Sequence, residues 1–312
     1  FISYYWLSKY SFVQEKRLYK EIKREINDPN GFLSDISRAS EYYTKIASDD
    51  TNVNDWLEDF NDKKIAQKVV ETFSGLRVMG ITQCYSLLFC LLMNKDKIGF
   101  NFSEVFKDIE KYHFGYSAIC KLSGNVVERI YFNTASKIQE ALKISNTEKR
   151  TKSIQRELSN FREELKRKYP SKEIFVEKFN EVEYKNYPLV IYILSNIEKH
   201  KGERAEEFNF TKTNIEHILP QDPNQWSLTK KDVKDYVNLL GNLTLISKKI
   251  NGPMGNKPLK EKIKLFKESK LNINKELLDR FKKIKYKWNE DEIKKRQKEL
   301  AEYAYDVVWK FK

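Results

Sequence analysis

Glu216 and His217 stand side by side in the run Ile215-Glu216-His217-Ile218-Leu219-Pro220. Asn242 follows in Leu240-Gly241-Asn242-Leu243-Thr244-Leu245, and Asn251 comes shortly after it. An imidazole titrates near neutral pH and can serve as a general base toward water. A carboxamide or backbone oxygen can accept from one ring nitrogen and leave the other free for that water. Carboxylate and carboxamide oxygens are hard ligands that suit Mg²⁺, with Mn²⁺ able to substitute; zinc would call for more nitrogen or sulfur. Such a set could activate water against a phosphodiester and place positive charge beside the leaving oxygen. On these residue types His217 is the base, Asn242 holds its ring, and Glu216 and Asn251 offer oxygens to the cation. The products then carry 5′-phosphate and 3′-hydroxyl ends.

These groups lie far apart along the chain, so particular elements must bring them together. Thr211 to Ile218 is rich in β-branched residues and ends at Pro220, which blocks further strand pairing. Asn242 to Ser247 is a second β-rich stretch, and from Asn256 onward the pattern turns helical, with Leu259, Ile263 and Phe266 on one face. The expected order is strand, loop, strand, helix. Adjacent strand residues point to opposite faces, so Glu216 and His217 share a cation only if the chain bends before Pro220. Asn251 is placed at or just before a helix start, where a short polar side chain is favoured and the dipole adds positive potential. Lys262 and Asn256 are the candidate phosphate or DNA contacts. The competing readings are a lysine stem packed along its helix and an asparagine helix cap. His113 reads as a helix-end residue and His200 as a solvent-facing one.

The residues before this region read mostly as helix. Trp6, Tyr10, Val13, Leu18, Ile22 and Ile26 recur at helical spacing, and further helices are read over 55–76, 80–94, 102–113, 115–122, 125–144, 152–169 and 187–200. The second of these is apolar nearly all round and belongs at the centre of a core. The segment 152–169 pairs apolar Ile154, Leu158, Phe161 and Leu165 with a solvated charged face. A last helix runs from Asp291 to Trp309. The fold expected is mainly α: a helical domain over 1–170, acting as linker, DNA-contact or regulatory part, and a nuclease domain over 171–312. That second domain holds a small ββα core at about 205–270, closed by C-terminal helices.

The segment Thr213 to Ser269 resembles the C-terminal HNH (ββα-metal) nuclease domain of GmrSD-type modification-dependent restriction enzymes. The matching elements are Ile215 to Gln221, Leu240 to Leu245, Asn251, Asn256, Lys262 and Ser269. The resemblance extends to Tyr192-Ile193-Leu194 with Ile197-Glu198, to Trp288, Ile293, Arg296, Leu300, Ala301 and Trp309, and more weakly to the aromatic stretch Tyr4 to Leu18. It implies a DNA endonuclease of phage defence, with its base on His217, the following asparagine on Asn242 and the late metal ligand on Asn251. Glu216 stands where many other HNH enzymes have Asp. The family implies a nucleotide-dependent ParB-like domain with a DGQQR-type motif as N-terminal partner. That motif is not found, and the chain opens on Phe1, so the expectation is a fragment lacking that domain. SspE-like phage-defence effectors are related and share the two-part layout.

Composition suits this reading. Of 312 residues, 40% are hydrophobic and 13% aromatic, enough for a sizeable core and unlike a disordered chain. The 10 glycines and 7 prolines are few, which favours helices over a turn-rich β fold. The formal charge of +13 fits a polyanionic partner, because neutralising phosphates releases counterions. A lysine-rich composition bias is the bland alternative. Cys84, Cys90 and Cys120 form no CxxC pair, so neither a disulfide framework nor a cysteine zinc site is indicated, and a cytoplasmic setting is expected. The longest apolar run, Tyr85 to Met93, is about half of what a membrane span needs. Two rivals to a DNA nuclease stand beside it: a catalytically silent DNA-binding or regulatory module, and an RNA-targeting HNH nuclease.

Overall fold

The computed structural model describes residues 1–202, 213–247 and 254–311. The chain is mainly α-helical and divides into two units. One is Phe1–Tyr169 with the chain's end, and the other is Pro170–Lys310.

The first unit holds α1 (Ile2–Lys9), α2 (Leu18–Glu25), α3 (Pro29–Ala47), α4 (Asn54–Phe60), α5 (Lys63–Val78), α6 (Tyr85–Met93), α7 (Lys95–Ile98), α8 (Ser103–His113), α9 (Gly124–Leu142) and α10 (Thr147–Lys168). Helix α6 is apolar on every side, and it lies against α1, α3 and α9. Leu87, Leu88 and Phe89 are wholly buried there, worth about 1.5–3 kcal/mol each. Ile154, Leu158, Phe161 and Leu165 of α10 are buried together, while its outer face carries pairs such as Lys152–Glu148 at 2.6 Å. The three cysteines are buried as free thiols.

Local chemistry interrupts two helices that periodicity reads as continuous. Between α4 and α5, Asn61 takes a left-handed φ of 51°. Asp62 then caps the next helix by accepting from the Lys64 and Ile65 amides at 2.7 and 3.0 Å. Near the start, Trp6 stacks on Tyr10 at 4.3 Å and donates its indole N–H to the Ser11 carbonyl at 3.0 Å, so α1 stops before the chain reaches α2. His113 ends α8 and is fully buried, with Nδ1 2.8 Å from Ser117 Oγ and Nε2 2.9 Å from the Tyr131 hydroxyl. The stretch after it is a π-helix, Phe114–Ile119.

The second unit holds α11 (Lys172–Phe179), α12 (Tyr187–Lys201), β1 (Thr213–His217), α13 (Lys230–Val233), β2 (Leu243–Ser247), α14 (Leu259–Phe266), α15 (Asn272–Lys283) and α16 (Glu290–Tyr303). The strands pair antiparallel, with Glu216 opposite Thr244 and His217 opposite Leu243. Strand, turn, strand and helix thus follow in the expected order. Ile218, Leu219, Ile246, Leu259, Phe266 and Phe281 share one apolar core beneath the hairpin. His200, near the end of α12, is exposed.

Three contacts frame the hairpin. The Glu198 carboxylate accepts the Asn272 and Ile273 amides at 2.9 Å each, a charge placed at the positive end of α15. Asn274 of α15 accepts from Thr244 Oγ1 at 2.6 Å and donates to the Leu245 carbonyl at 2.7 Å, which ties that helix to β2. Arg296 of α16 donates to the Gly241 and Leu243 carbonyls at 2.7 and 2.8 Å. Gly241 must lack a side chain, because a Cβ there would fall 2.1 Å from the Ile293 carbonyl oxygen of α16.

Candidate active site

His217 ends β1, half-buried, and Glu216 before it is buried on the opposite face of the strand. The ring of His217 is held from one side by Asn238, whose Oδ1 lies 3.1 Å from Nε2. The same oxygen accepts from Gln221 Nε2 at 2.8 Å. An oxygen accepting twice makes Nε2 the protonated ring nitrogen and leaves Nδ1 as the basic one. Tyr184 closes another side, with its ring centroid 4.7 Å from that of the imidazole, and its amide donates to the Asn238 carbonyl at 2.8 Å. Burial draws the His217 pKa down to about 4, with the Asn238 hydrogen bond opposing and Lys262 assisting. The imidazole is therefore neutral at physiological pH, the form a base requires.

Asn242, expected to hold this ring, is bonded elsewhere. It is fully buried. Its Oδ1 accepts from the Leu219 amide at 2.9 Å and the Trp288 indole at 3.0 Å. Its Nδ2 donates to the Leu219 and Val237 carbonyls, both at 2.8 Å. Its backbone carbonyl takes the Ile218 amide at 2.9 Å. These bonds use the whole capacity of the side chain. Asn242 thus fastens the turn after His217 to the turn before β2 and to Trp288, and the ring is held by Asn238. The missed residue left one signal: a second carboxamide in the same apolar run, Asn238-Leu239-Leu240-Gly241-Asn242.

Lys262, expected at a phosphate or along its helix, points inward from α14 and is 0% exposed. Its Nζ donates to Glu216 Oε1 at 2.5 Å and to the His217 carbonyl at 2.6 Å. Burial pushes the Glu216 carboxyl up and the Lys262 ammonium down, each against their mutual attraction. No bend brings the Glu216 carboxylate round to the imidazole. β1 stays in register through His217, and the lysine reaches a side chain and a backbone carbonyl instead.

Asn251 lies outside the described residues, as does part of the expected core. Asn256 is exposed, three residues ahead of α14, whose N-cap position is Pro258. Among the described residues, no group of three or more His, Cys, Asp or Glu could hold a metal ion. Residues 213–287 contain 17 Lys and Arg against 8 Asp and Glu, so most of the net +13 falls in this stretch of sequence. No described helix is long and apolar enough to cross a membrane.

A mainly helical unit built round a two-stranded hairpin, with a neutral, clamped histidine at the end of its first strand, is the class of domain these features define. Residues 169–303 match the family model described as GmrSD restriction endonucleases, C-terminal domain. No curated protein and no solved structure matches the chain.

Proposed function

We propose that this chain is a metal-dependent DNA endonuclease of the HNH type, serving restriction of foreign DNA. The observation that carries the proposal is the clamped, neutral imidazole of His217 inside a segment matching a restriction-endonuclease domain. With Nε2–H given to Asn238, the Nδ1 lone pair takes a proton from water as that water attacks phosphorus. The bond from phosphorus to the 3′ oxygen breaks, leaving 5′-phosphate and 3′-hydroxyl ends. The excess of lysines over 213–287 supports a DNA backbone as the partner, through phosphate neutralisation.

A divalent cation, Mg²⁺ with Mn²⁺ able to replace it, is the proposed cofactor, and its chemistry is to neutralise charge on the phosphate and its leaving oxygen. Of the two residues expected to bind it, Asn251 remains a proposed ligand. Glu216 does not fit that role in the geometry at hand, because its buried carboxylate is engaged by the Lys262 ammonium. A nucleotide-dependent ParB-like partner domain and a cytoplasmic location belong to the same proposal.

The test is supercoiled plasmid incubated with the purified chain and Mg²⁺, with single-stranded and duplex RNA in parallel. Nicked or linear plasmid, absent without cation, supports the proposal. DNA binding with no cleavage under any divalent cation points to the silent module, and cleavage of RNA alone points to the RNA nuclease.

A further inference from the structure

We propose that Lys262 is the positioning residue of this site and that Glu216 serves it rather than a divalent cation. The inference rests on the reading of His217 as the base. Four observations carry it. Lys262 is fully buried although it stands on an eight-residue helix otherwise rich in exposed lysine. Its ammonium meets Glu216 Oε1 at 2.5 Å and the His217 carbonyl at 2.6 Å, so a single group grips both of the last residues of β1. Glu216 and His217 lie on opposite faces of a strand that keeps its register, so the carboxylate and the imidazole do not converge on one ion. Finally, a buried ammonium needs a nearby counter-charge, and Glu216 is the carboxylate ion-paired to it.

The physical consequence is mechanical. The Nε2–H bond donated to Asn238 orients the imidazole ring, but ring placement also depends on the backbone that bears it. The lysine fixes that backbone at its carbonyl, just where β1 ends and the ladder gives way to the turn held by Asn242. Removing the ammonium takes the lysine's hold from the His217 carbonyl, leaves that peptide tethered through the Ile218 amide to Asn242, and loosens the Nε2–Asn238 bond. Misplacing a catalytic group by about 1 Å can lower a rate a hundredfold without changing substrate affinity. Glu216 enters only as the charge that keeps Lys262 ionised in the interior. The alternative, in which an incoming cation displaces the ammonium and takes the carboxylate, gives a different result in the experiment below.

The experiment uses the whole chain and three proteins: wild type, Lys262→Met, and the double variant Glu216→Gln with Lys262→Met. In the double variant the side chains keep their approximate size and lose both charges, so it avoids the unpaired buried carboxylate that lowers the stability of Lys262→Met. Circular dichroism checks that each is folded. The long-range ¹H–¹⁵N spectrum of His217 reads the ring directly. The wild type is expected as the Nε2–H tautomer and both variants as a mixture of tautomers. Nicking at saturating plasmid should fall about tenfold or more in both variants with unchanged KM for DNA. Mn²⁺ affinity by calorimetry should be the same in the double variant as in wild type. Loss of Mn²⁺ binding in a folded double variant would show Glu216 to be a metal ligand and overturn the proposal. So would a His217 spectrum that stays at one tautomer in both variants. A wild-type chain that neither binds Mn²⁺ nor nicks DNA defeats the nuclease reading, while the His217 spectrum still decides the positioning role.

Discussion

Asn238 Oδ1 lies 3.1 Å from Nε2 of His217, across 21 residues of chain, and this contact assigns the proton on the ring. Asn242, four positions further on, touches instead the turn after β1 and the turn before β2. The two asparagines should therefore fail differently. Asn242→Ala leaves buried partners unsatisfied at Leu219, Val237 and Trp288, a cost of about 3 kcal/mol or more at roughly 1–3 kcal/mol per group. Its melting temperature should fall by several degrees. Asn238→Ala should melt close to wild type and lose nicking rate. Thermal melts of both variants beside plasmid assays check the split.

Acid should act on the site later than an ordinary histidine allows. Burial lowers the His217 pKa from 6.5 to about 4, so the neutral base persists down to that pH. A depressed histidine stabilises the fold above its unfolded pKa, and that contribution is lost as pH falls from 6.5 through about 4. The nicking rate should stay level between about pH 5.5 and 7.5 instead of falling at the usual histidine pKa. Asn238→Asp places a carboxylate beside Nε2, raises the imidazole pKa and should move the acid limb toward neutral pH. A pH–rate profile of the two proteins reads the difference.

Binding to DNA should be strongly salt-dependent. The basic side chains of residues 213–287 would neutralise several phosphates, and each contributes to the slope of log K against log salt by about −0.9. Fluorescence anisotropy with a labelled duplex between low and moderate salt should show affinity dropping by orders of magnitude. A flat response removes the argument from charge.

Asn251 remains the proposed oxygen donor for the cation. Asn251→Ala should raise the Mg²⁺ concentration for half-maximal nicking about tenfold or more, as loss of a ligand or its support does at metal sites. The binding of DNA in the absence of cation should be unchanged. A metal titration of the variant against wild type provides the test.

Much of the helical framework was legible because amphipathic spacing and burial report the same fact. The buried stripe Ile154, Leu158, Phe161 and Leu165 is visible in the sequence and lines the inner face of α10. The all-apolar run over α6 could only sit inside a core. Other elements were hidden by local chemistry. The spacing from Trp6 to Ile26 runs across a break made by one stacking contact and one indole hydrogen bond. Helix α3 went unread although Asp28 caps it and Pro29 opens it, because its buried face is only Ala39, Tyr42 and Ile46. At the site, residue types suggested an imidazole with carboxamide and carboxylate neighbours. Which carboxamide meets the ring is a matter of tertiary placement, and Asn238 and Asn242 are alike in one dimension. The Glu216–Lys262 pair joins positions 46 residues apart, a distance over which periodicity carries no information.

In the proposed reaction His217 removes the proton from the attacking water. His217→Ala in the full chain, assayed for nicking of supercoiled plasmid with Mg²⁺ and for duplex binding by anisotropy, tests it most directly. Cleavage is expected to be lost while DNA affinity stays at the wild-type level. Cleavage at the wild-type rate by the folded variant would contradict it.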